Sequence, residues 1–200
     1  MAKRPSNEQI VQNAELILSF IETFPEPRKS QVEAMFKGKV GDFYFSAPAS
    51  SREEYHYCFP GGLAAHSLNL LRNLNKLAKA MYPGRWPDHK LIFVALFHDL
   101  GKAGDGESEH YIPNPSDWHR SKGMLYEINK KCVYMPTSEL GLFVLQKHGI
   151  ALDHEEYLAI RLNDGQYVPE NKGYSMKEPE LALLVHWADM AATKMEKGDA

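Results

Sequence analysis

Cysteine is scarce in this chain, and its scarcity excludes a fold built on disulfides. Cys58 and Cys132 are the two cysteines among 200 residues, too few for the framework of a small secreted domain, and neither lies in a C-x-x-C motif. Polar residues follow Met1, without the apolar core of a secretory signal. We therefore interpret both cysteines as reduced thiols and expect a cytoplasmic protein.

Long apolar runs and an excess of basic residues are also missing. The longest apolar run covers 91–97, whereas a membrane span needs about 20 residues, so we expect no membrane association. The formal net charge is -3, and proteins that grip a nucleic-acid backbone are usually basic. The sequence thus carries no strong nucleic-acid signature, although a small phosphorylated ligand needs only a local basic spot.

What is present is an ordinary globular composition with helical patterning. Apolar residues recur at helical spacing along most of the chain, which predicts an all-α, single-domain bundle of about eight helices. Residues 40–46 favour a small extended arm, and glycines, prolines and acidic residues over 103–116 predict a loop. We expect residues 1–54 to form N-terminal helices and the arm, packed on a core formed by residues 55–200.

Three polar features fall on helix faces that should be buried. His66 interrupts the apolar stripe of a helix predicted over 63–81, and His98-Asp99 ends a helix that is apolar all round. Asp189 shares a face of the last helix with small apolar residues. A buried carboxylate is costly unless it is paired, hydrogen-bonded or bound to a metal.

Each feature also has an ordinary explanation when taken alone. His66 can be a hydrogen-bonded core histidine, and His98-Asp99 can be a hydrogen-bonded pair at a helix end. Asp189 can pair with a lysine such as Lys194. One shared metal ion accounts for all three with a single site, and imidazole with carboxylate suits Mn, Fe, Mg, Co or Zn.

Three motifs carry a family resemblance. Gly61-Gly62-Leu63-Ala64-Ala65-His66-Ser67, His98-Asp99-Leu100-Gly101-Lys102 and Ala188-Asp189 resemble the HD-domain metal-dependent phosphohydrolase superfamily, over roughly residues 55–194. The glycine pair is similar to HD domains of some bacterial 3′-5′ exoribonucleases and relaxase-associated proteins, and 163–167 to small HD proteins of phages. The resemblance implies an HD-type helical bundle and a metal-dependent phosphoric ester hydrolase.

The bimetallic branch of that superfamily has two further histidines, which His119 and His148 match in order. Relatives often carry a His-His-Gly triplet, whereas this chain has Lys147 before His148-Gly149. The resemblance implies one or two divalent ions bridged by Asp99. One ion would be completed by His66, His98 and Asp189, and the other by His119 and His148.

The implied mechanism makes Asp99 and Lys102 the catalytic residues. A water between the ions loses a proton, and the hydroxide attacks phosphorus, while Lys102 neutralises the phosphate. His186 would orient a ligand, act as leaving-group acid, or simply pack beside Asp189. Substrate contacts are predicted for Lys102, Lys147, Tyr167, Lys172 and Tyr174, with an ordinary solvated loop as the alternative for 163–176. The remaining histidines are expected at the surface: His56, His89, His110 and His154.

The leading functional hypothesis is hydrolysis of a small phosphorylated substrate, preferably a nucleotide, by a nucleotidase or phosphodiesterase. The resemblance leaves open a di-iron HD-type oxygenase and a 3′-5′ exonuclease acting on oligonucleotides. A non-catalytic binding module that uses metal for stability is a further alternative. A homo-oligomer is possible on this sequence.

Overall fold

The structure, a computed structural model, describes residues 5–197. This part of the chain is mostly helical, which confirms the all-α prediction, and none of its helices is both long and apolar enough to cross a bilayer. The helices are α1 (Asn7–Ile21), α2 (Arg28–Phe36), α3 (Lys39–Ser46), α4 (Gly62–Met81), α5 (Asp88–Phe97), α6 (Asp117–Ser121), α7 (Thr137–Lys147), α8 (His154–Arg161) and α9 (Glu180–Glu196).

Side-chain caps begin two of these helices. The Ser6 side chain accepts a hydrogen bond from the Gln9 backbone N–H and begins α1. Asp153 and Glu156 form a reciprocal capping box at the start of α8. Both caps satisfy backbone donors that the first helical turn leaves without partners.

The prediction of an extended arm near 40–46 is wrong, because this segment is α3. Val40 and Tyr44 are spaced four residues apart, so a helix buries both on one face. The Tyr44 hydroxyl lies 2.9 Å from the Leu96 carbonyl oxygen. A Cβ at Gly41 would lie 2.0 Å from the Phe36 carbonyl oxygen, so glycine allows α3 to fold back closely on α2. These tertiary contacts outweigh the strand propensity of the aromatic run.

A small antiparallel sheet interrupts the predicted loop 103–116. Strand β1 (Tyr111–Pro113) pairs with β2 (Tyr126–Ile128), with Ile112 opposite Glu127. The sheet follows the 3-10 turn Leu100–Ala103. Sequence patterning misses strands of three residues because they are too short to show alternation.

One hydrophobic core joins the N-terminal helices to the rest of the chain. Helix α5 is central, and every residue from Leu91 to Phe97 is buried. Ile17 of α1, Met35 of α2 and Tyr44 of α3 belong to the same buried cluster. Helix α9 packs along α4, so residues projecting between these two helices meet in the interior.

Candidate metal centre

Four of the predicted ligands meet where α4, α9 and the end of α5 come together. His66 Nε2 lies 2.9 Å from Asp189 Oδ1 and 3.3 Å from His98 Nε2. Asp99 Oδ2 lies 3.3 Å from His98 Nε2 and 3.9 Å from His66 Nε2. Both imidazoles are fully buried, and Asp99 is 6% exposed. We call these four residues the metal cluster.

The turn after His98 is fixed by close packing against α7. A Cβ at Gly101 would lie 2.0 Å from the Thr137 carbonyl oxygen, so a larger residue would push this turn away from α7. The turn directs Lys102 back towards Asp99, with Nζ 2.5 Å from Oδ2. The HDLGK motif thereby presents an imidazole, a carboxylate and an ammonium at one place.

The distances among His66, His98 and Asp189 fit one ion. With metal–ligand bonds of about 2.1 Å, neighbouring ligand atoms lie about 3.0 to 3.4 Å apart. His66, His98 and Asp189 each offer a ligand atom within 4.8 Å of the others. Imidazole nitrogen with carboxylate oxygen is a donor set that several divalent first-row ions accept.

Hydrogen bonds at the far ring nitrogens orient both imidazoles. His98 Nδ1 lies 2.8 Å from the Ala95 carbonyl oxygen, which can only accept, so Nδ1 carries the proton. His66 Nδ1 lies 2.8 Å from Glu196 Oε2, and the buried Glu196 also accepts from Asn69. With Nδ1 protonated, Nε2 of each neutral ring directs a lone pair into the metal cluster, as in carboxylate–histidine–metal arrangements.

The charges around the metal cluster are unequal. Asp189 and Glu196 contact His66, and Asp99 contacts the ammonium of Lys102. These three carboxylates and one ammonium leave two negative charges in excess when the imidazoles are neutral. A divalent ion would balance that excess. The residues therefore fit a divalent cation in number, type and charge.

Protonation of His66 partly offsets the same imbalance when no ion is bound. Burial alone lowers the pKa of His66, but hydrogen bonds to Asp189 and Glu196 raise it to about 10. Burial raises the pKa of Asp99, yet Lys102 and His98 outweigh this and hold it well below its usual value. A proton on His66 and a metal ion at Nε2 are thus alternatives.

His119 and His148 lie outside the metal cluster. His119 is exposed on α6, with its ring centroid 5.0 Å from that of Trp118. His148 is half-buried at the end of α7, beside Lys147. Among residues 5–197, neither joins a group of possible metal ligands. The structure therefore brings together the predicted ligands of one ion and does not bring together those of a second.

Two histidines expected at the surface lie partly or fully in the interior, His56 half-buried and His110 buried. His110 is 8% exposed, and the His56 ring centroid lies 4.6 Å from that of His66. His56 also forms a possible ligand group with His66 and Glu196. Loop segments carry no periodicity that predicts burial, so the sequence gives no signal for either histidine. His89 is half-buried, whereas His154 is exposed as expected.

Glu196 also belongs to the site and was not expected from the sequence. It is 2% exposed at the end of α9, seven residues after Asp189. Residues seven apart lie on the same helix face. That spacing from Asp189 is the signal that could have identified Glu196.

The predicted substrate-binding side chains lie mostly on the surface. Tyr167 is 79% exposed, and Lys172 and Tyr174 are also exposed. Lys147 Nζ lies 3.5 Å from Glu107 Oε1 at the surface. Of this predicted set, Lys102 is the residue with a direct contact to the metal cluster.

His186 supports the loop behind His98. Its Nδ1 donates to the Asn163 carbonyl oxygen at 2.7 Å, and the Asn163 side chain donates to the His98 carbonyl oxygen at 3.1 Å. The ring also lines a cavity of about 360 Å³ with Tyr167 and Trp187. His186 thus acts on the backbone near the metal cluster, through the buried Asn163, rather than on a ligand ring.

Comparisons of the chain with protein families, characterised proteins and solved structures found no match. Function is therefore inferred from the metal cluster and from the chemistry of its residues.

Proposed function

We propose that this protein is a metal-dependent phosphoric ester hydrolase that acts on a small phosphorylated substrate, with nucleotides as the preferred class. One observation carries the proposal: His66, His98 and Asp189 converge beside the Asp99–Lys102 pair. The resemblance of the three motifs to HD domains supports the same reaction class. The unpaired state of Cys58 and Cys132 agrees with a reducing, cytoplasmic location.

In this proposal His66, His98, Asp99 and Asp189 hold a divalent ion. The ion supplies Lewis acidity, which stabilises negative charge on phosphoryl oxygens. Asp99 Oδ2 also holds the Lys102 ammonium, whose pKa stays raised because Asp99 outweighs the effect of burial. Lys102 is then fully charged at neutral pH and positioned before substrate arrives, so it binds developing charge without reorganisation.

The alternatives draw less support from the described residues. An oxygenase of the di-iron type needs a second set of ligands, and His119 and His148 lie outside the metal cluster. An exonuclease needs a basic surface, and the chain has a net charge of -3. A purely structural ion gives Lys102 no role beyond its ion pair with Asp99.

The test is a substrate screen combined with metal analysis. The metal-free protein is loaded with Mn, Mg, Fe, Co or Zn, and release of phosphate or mononucleotide is measured on nucleotides and phosphodiesters. Asp189→Asn should lose bound metal and lower turnover by about a thousandfold. Asp117→Asn is the matched control, since that carboxylate is 95% exposed on α6. Equal turnover in the two variants, or no hydrolysis by any metal-loaded form, would refute the proposal.

A further inference from the structure

Two buried ring nitrogens in residues 5–197 have no hydrogen-bond partner. They are His56 Nε2 and His110 Nδ1, and they are the unpartnered buried side-chain nitrogens and oxygens of this range. Nearly all buried polar atoms in proteins are hydrogen-bonded, so an exception calls for a ligand or an ordered water. Both exceptions belong to residues that the metal cluster does not use.

The two imidazoles come from different loops, and each packs against a residue close to the Asp99–Lys102 pair: His66 Nε2 lies 3.9 Å from Asp99 Oδ2, and Tyr111 lines a cavity with Lys102. His56 precedes α4 and its ring packs against that of His66. His110 precedes β1, and its ring centroid lies 4.6 Å from that of Tyr111. Both histidines interact electrostatically with Lys102 and with Asp99.

The nature of the missing ligand follows from charge. The Lys102 ammonium acts electrostatically on both imidazoles, so a second cation among them would meet like-charge repulsion. An imidazole N–H, in contrast, can donate to an anionic oxygen beside a lysine. An anionic oxygen is therefore the favoured partner.

There is room for such an anion and for the group attached to it. Lys102 lines a cavity of about 210 Å³, together with Glu109, Tyr111 and Tyr126. His110 lies in sequence between two of these lining residues. Lys102 thus has the metal cluster on one side and an aromatic-walled cavity on the other.

We propose that His56 Nε2, His110 Nδ1 and Lys102 Nζ form the phosphoryl-binding face of this centre. Each imidazole donates an N–H to a phosphoryl oxygen, and the rest of the substrate extends into the cavity beside Tyr111. This inference rests on the proposed function, because the bound phosphoryl group is the one that would be hydrolysed. It assigns His56 and His110 to the substrate rather than to the ion.

Matched substitutions test the two donors. Gln at position 56 keeps an amide donor near the place of Nε2, and Asn at position 110 keeps one near Nδ1, whereas Leu removes the donor at either position. The probe is inorganic phosphate, titrated calorimetrically into metal-loaded protein. His56→Leu and His110→Leu should each weaken phosphate binding about tenfold or more. His56→Gln and His110→Asn should retain binding within about threefold, with bound metal and melting temperature unchanged in all four.

Nitrogen NMR of the unaltered protein tests the inference even if a leucine variant does not fold. Phosphate should shift the His56 Nε2 and His110 Nδ1 resonances. Unchanged resonances, or unchanged phosphate affinity in folded leucine variants, would overturn the inference. Loss of metal in His56→Leu would overturn it too, since His56 would then bind the ion with His66 and Glu196.

Failure of the inference and failure of the proposed function are distinguishable. Phosphate binding that depends on both histidines, without hydrolysis of any ester, would leave the anion site intact and remove the enzymatic proposal. Ester hydrolysis that is insensitive to substitution of either histidine would retain the enzymatic proposal and remove the anion site.

Discussion

Two buried ionic clusters in this molecule differ in whether their charges are matched. In the first, Arg28 makes two hydrogen bonds to Glu156, at 2.6 and 2.8 Å, and a third to the Ala151 carbonyl oxygen. Its guanidinium also lies 4.2 Å from the centre of the Phe93 ring. Glu156 in turn accepts from the Asp153 backbone N–H and caps α8. We call this the Arg28–Glu156 pair.

The metal cluster is built of similar groups with the opposite balance. The negative charges of its carboxylates and of Glu196 exceed the positive charge of Lys102. The Nε2 atoms of His66 and His98 also lie only 3.3 Å apart. The Arg28–Glu156 pair leaves no charge to be neutralised, so its role is to hold α2 against α8. Unmatched buried charge, in contrast, identifies the place where the fold is arranged to bind something.

The largest effect on stability should come from breaking the matched pair. Glu156→Gln leaves the mostly buried Arg28 guanidinium without its counter-charge, and we expect the free energy of unfolding to fall by about 3 kcal/mol. Chemical denaturation measures this. The double variant Arg28→Met with Glu156→Leu should recover much of the loss, because it removes both charges. Bound metal should be unchanged in both variants, and its loss would show that the two clusters are coupled.

A second variant removes a negative charge beside the metal cluster. Glu196→Gln keeps an oxygen that accepts from His66 Nδ1 but removes the negative charge that makes the ring a better ligand. We expect metal affinity to fall by about 10- to 100-fold. The metal-free protein should also lose stability, because the buried charge of protonated His66 loses one of its two counter-charges. Glu180→Gln, on the exposed start of the same helix, is the control. Equal metal affinity in the two variants would remove Glu196 from the site.

The pH dependence of metal binding tests whether a proton on His66 offsets the excess negative charge of the metal cluster when no ion is bound. Because the pKa of His66 is raised to about 10 in the metal-free protein, the ion must displace a proton from Nε2 at neutral pH. Apparent metal affinity should therefore rise about tenfold per pH unit below pH 10. Calorimetry in buffers of different ionisation enthalpy should detect about one released proton per ion. Binding without proton release would mean that His66 is neutral before the ion arrives.

The smallest effect is expected at the two histidines outside the metal cluster. His119→Ala and His148→Ala should leave the number of bound ions unchanged, since neither side chain lies within reach of the other ligands. Metal content by elemental analysis measures this. Two ions in the unaltered protein and one in either variant would restore the two-ion prediction made from the sequence.

The sequence predicted those parts of the site that lie on regular helices. His66, His98 and Asp189 were recognisable because helical spacing shows which faces are buried, and a polar residue on such a face is conspicuous. Helix α3 was mistaken for a strand because its folding back on α2 depends on the contact at Gly41, which no local pattern encodes.

Loop residues escaped prediction for a different reason. Tertiary packing covers His56 against His66 and His110 against Tyr111, and nothing in their immediate sequence distinguishes them from the exposed His154. His119 and His148 had the expected order along the chain but not the position in space. Order alone cannot place a side chain, because the path of the intervening loops decides what it reaches.

Helix α9 contacts one imidazole at both of its nitrogens. Asp189 and Glu196 lie about 10.5 Å apart along the helix axis, and His66 spans between them, with contacts of 2.9 Å at Nε2 and 2.8 Å at Nδ1. A slip of α9 by one residue turns it by about 100° relative to α4 and would break both contacts together. The geometry of His66 therefore depends on the register of α9 against α4. A perturbation that shifts α9 should disable metal binding before it unfolds the protein.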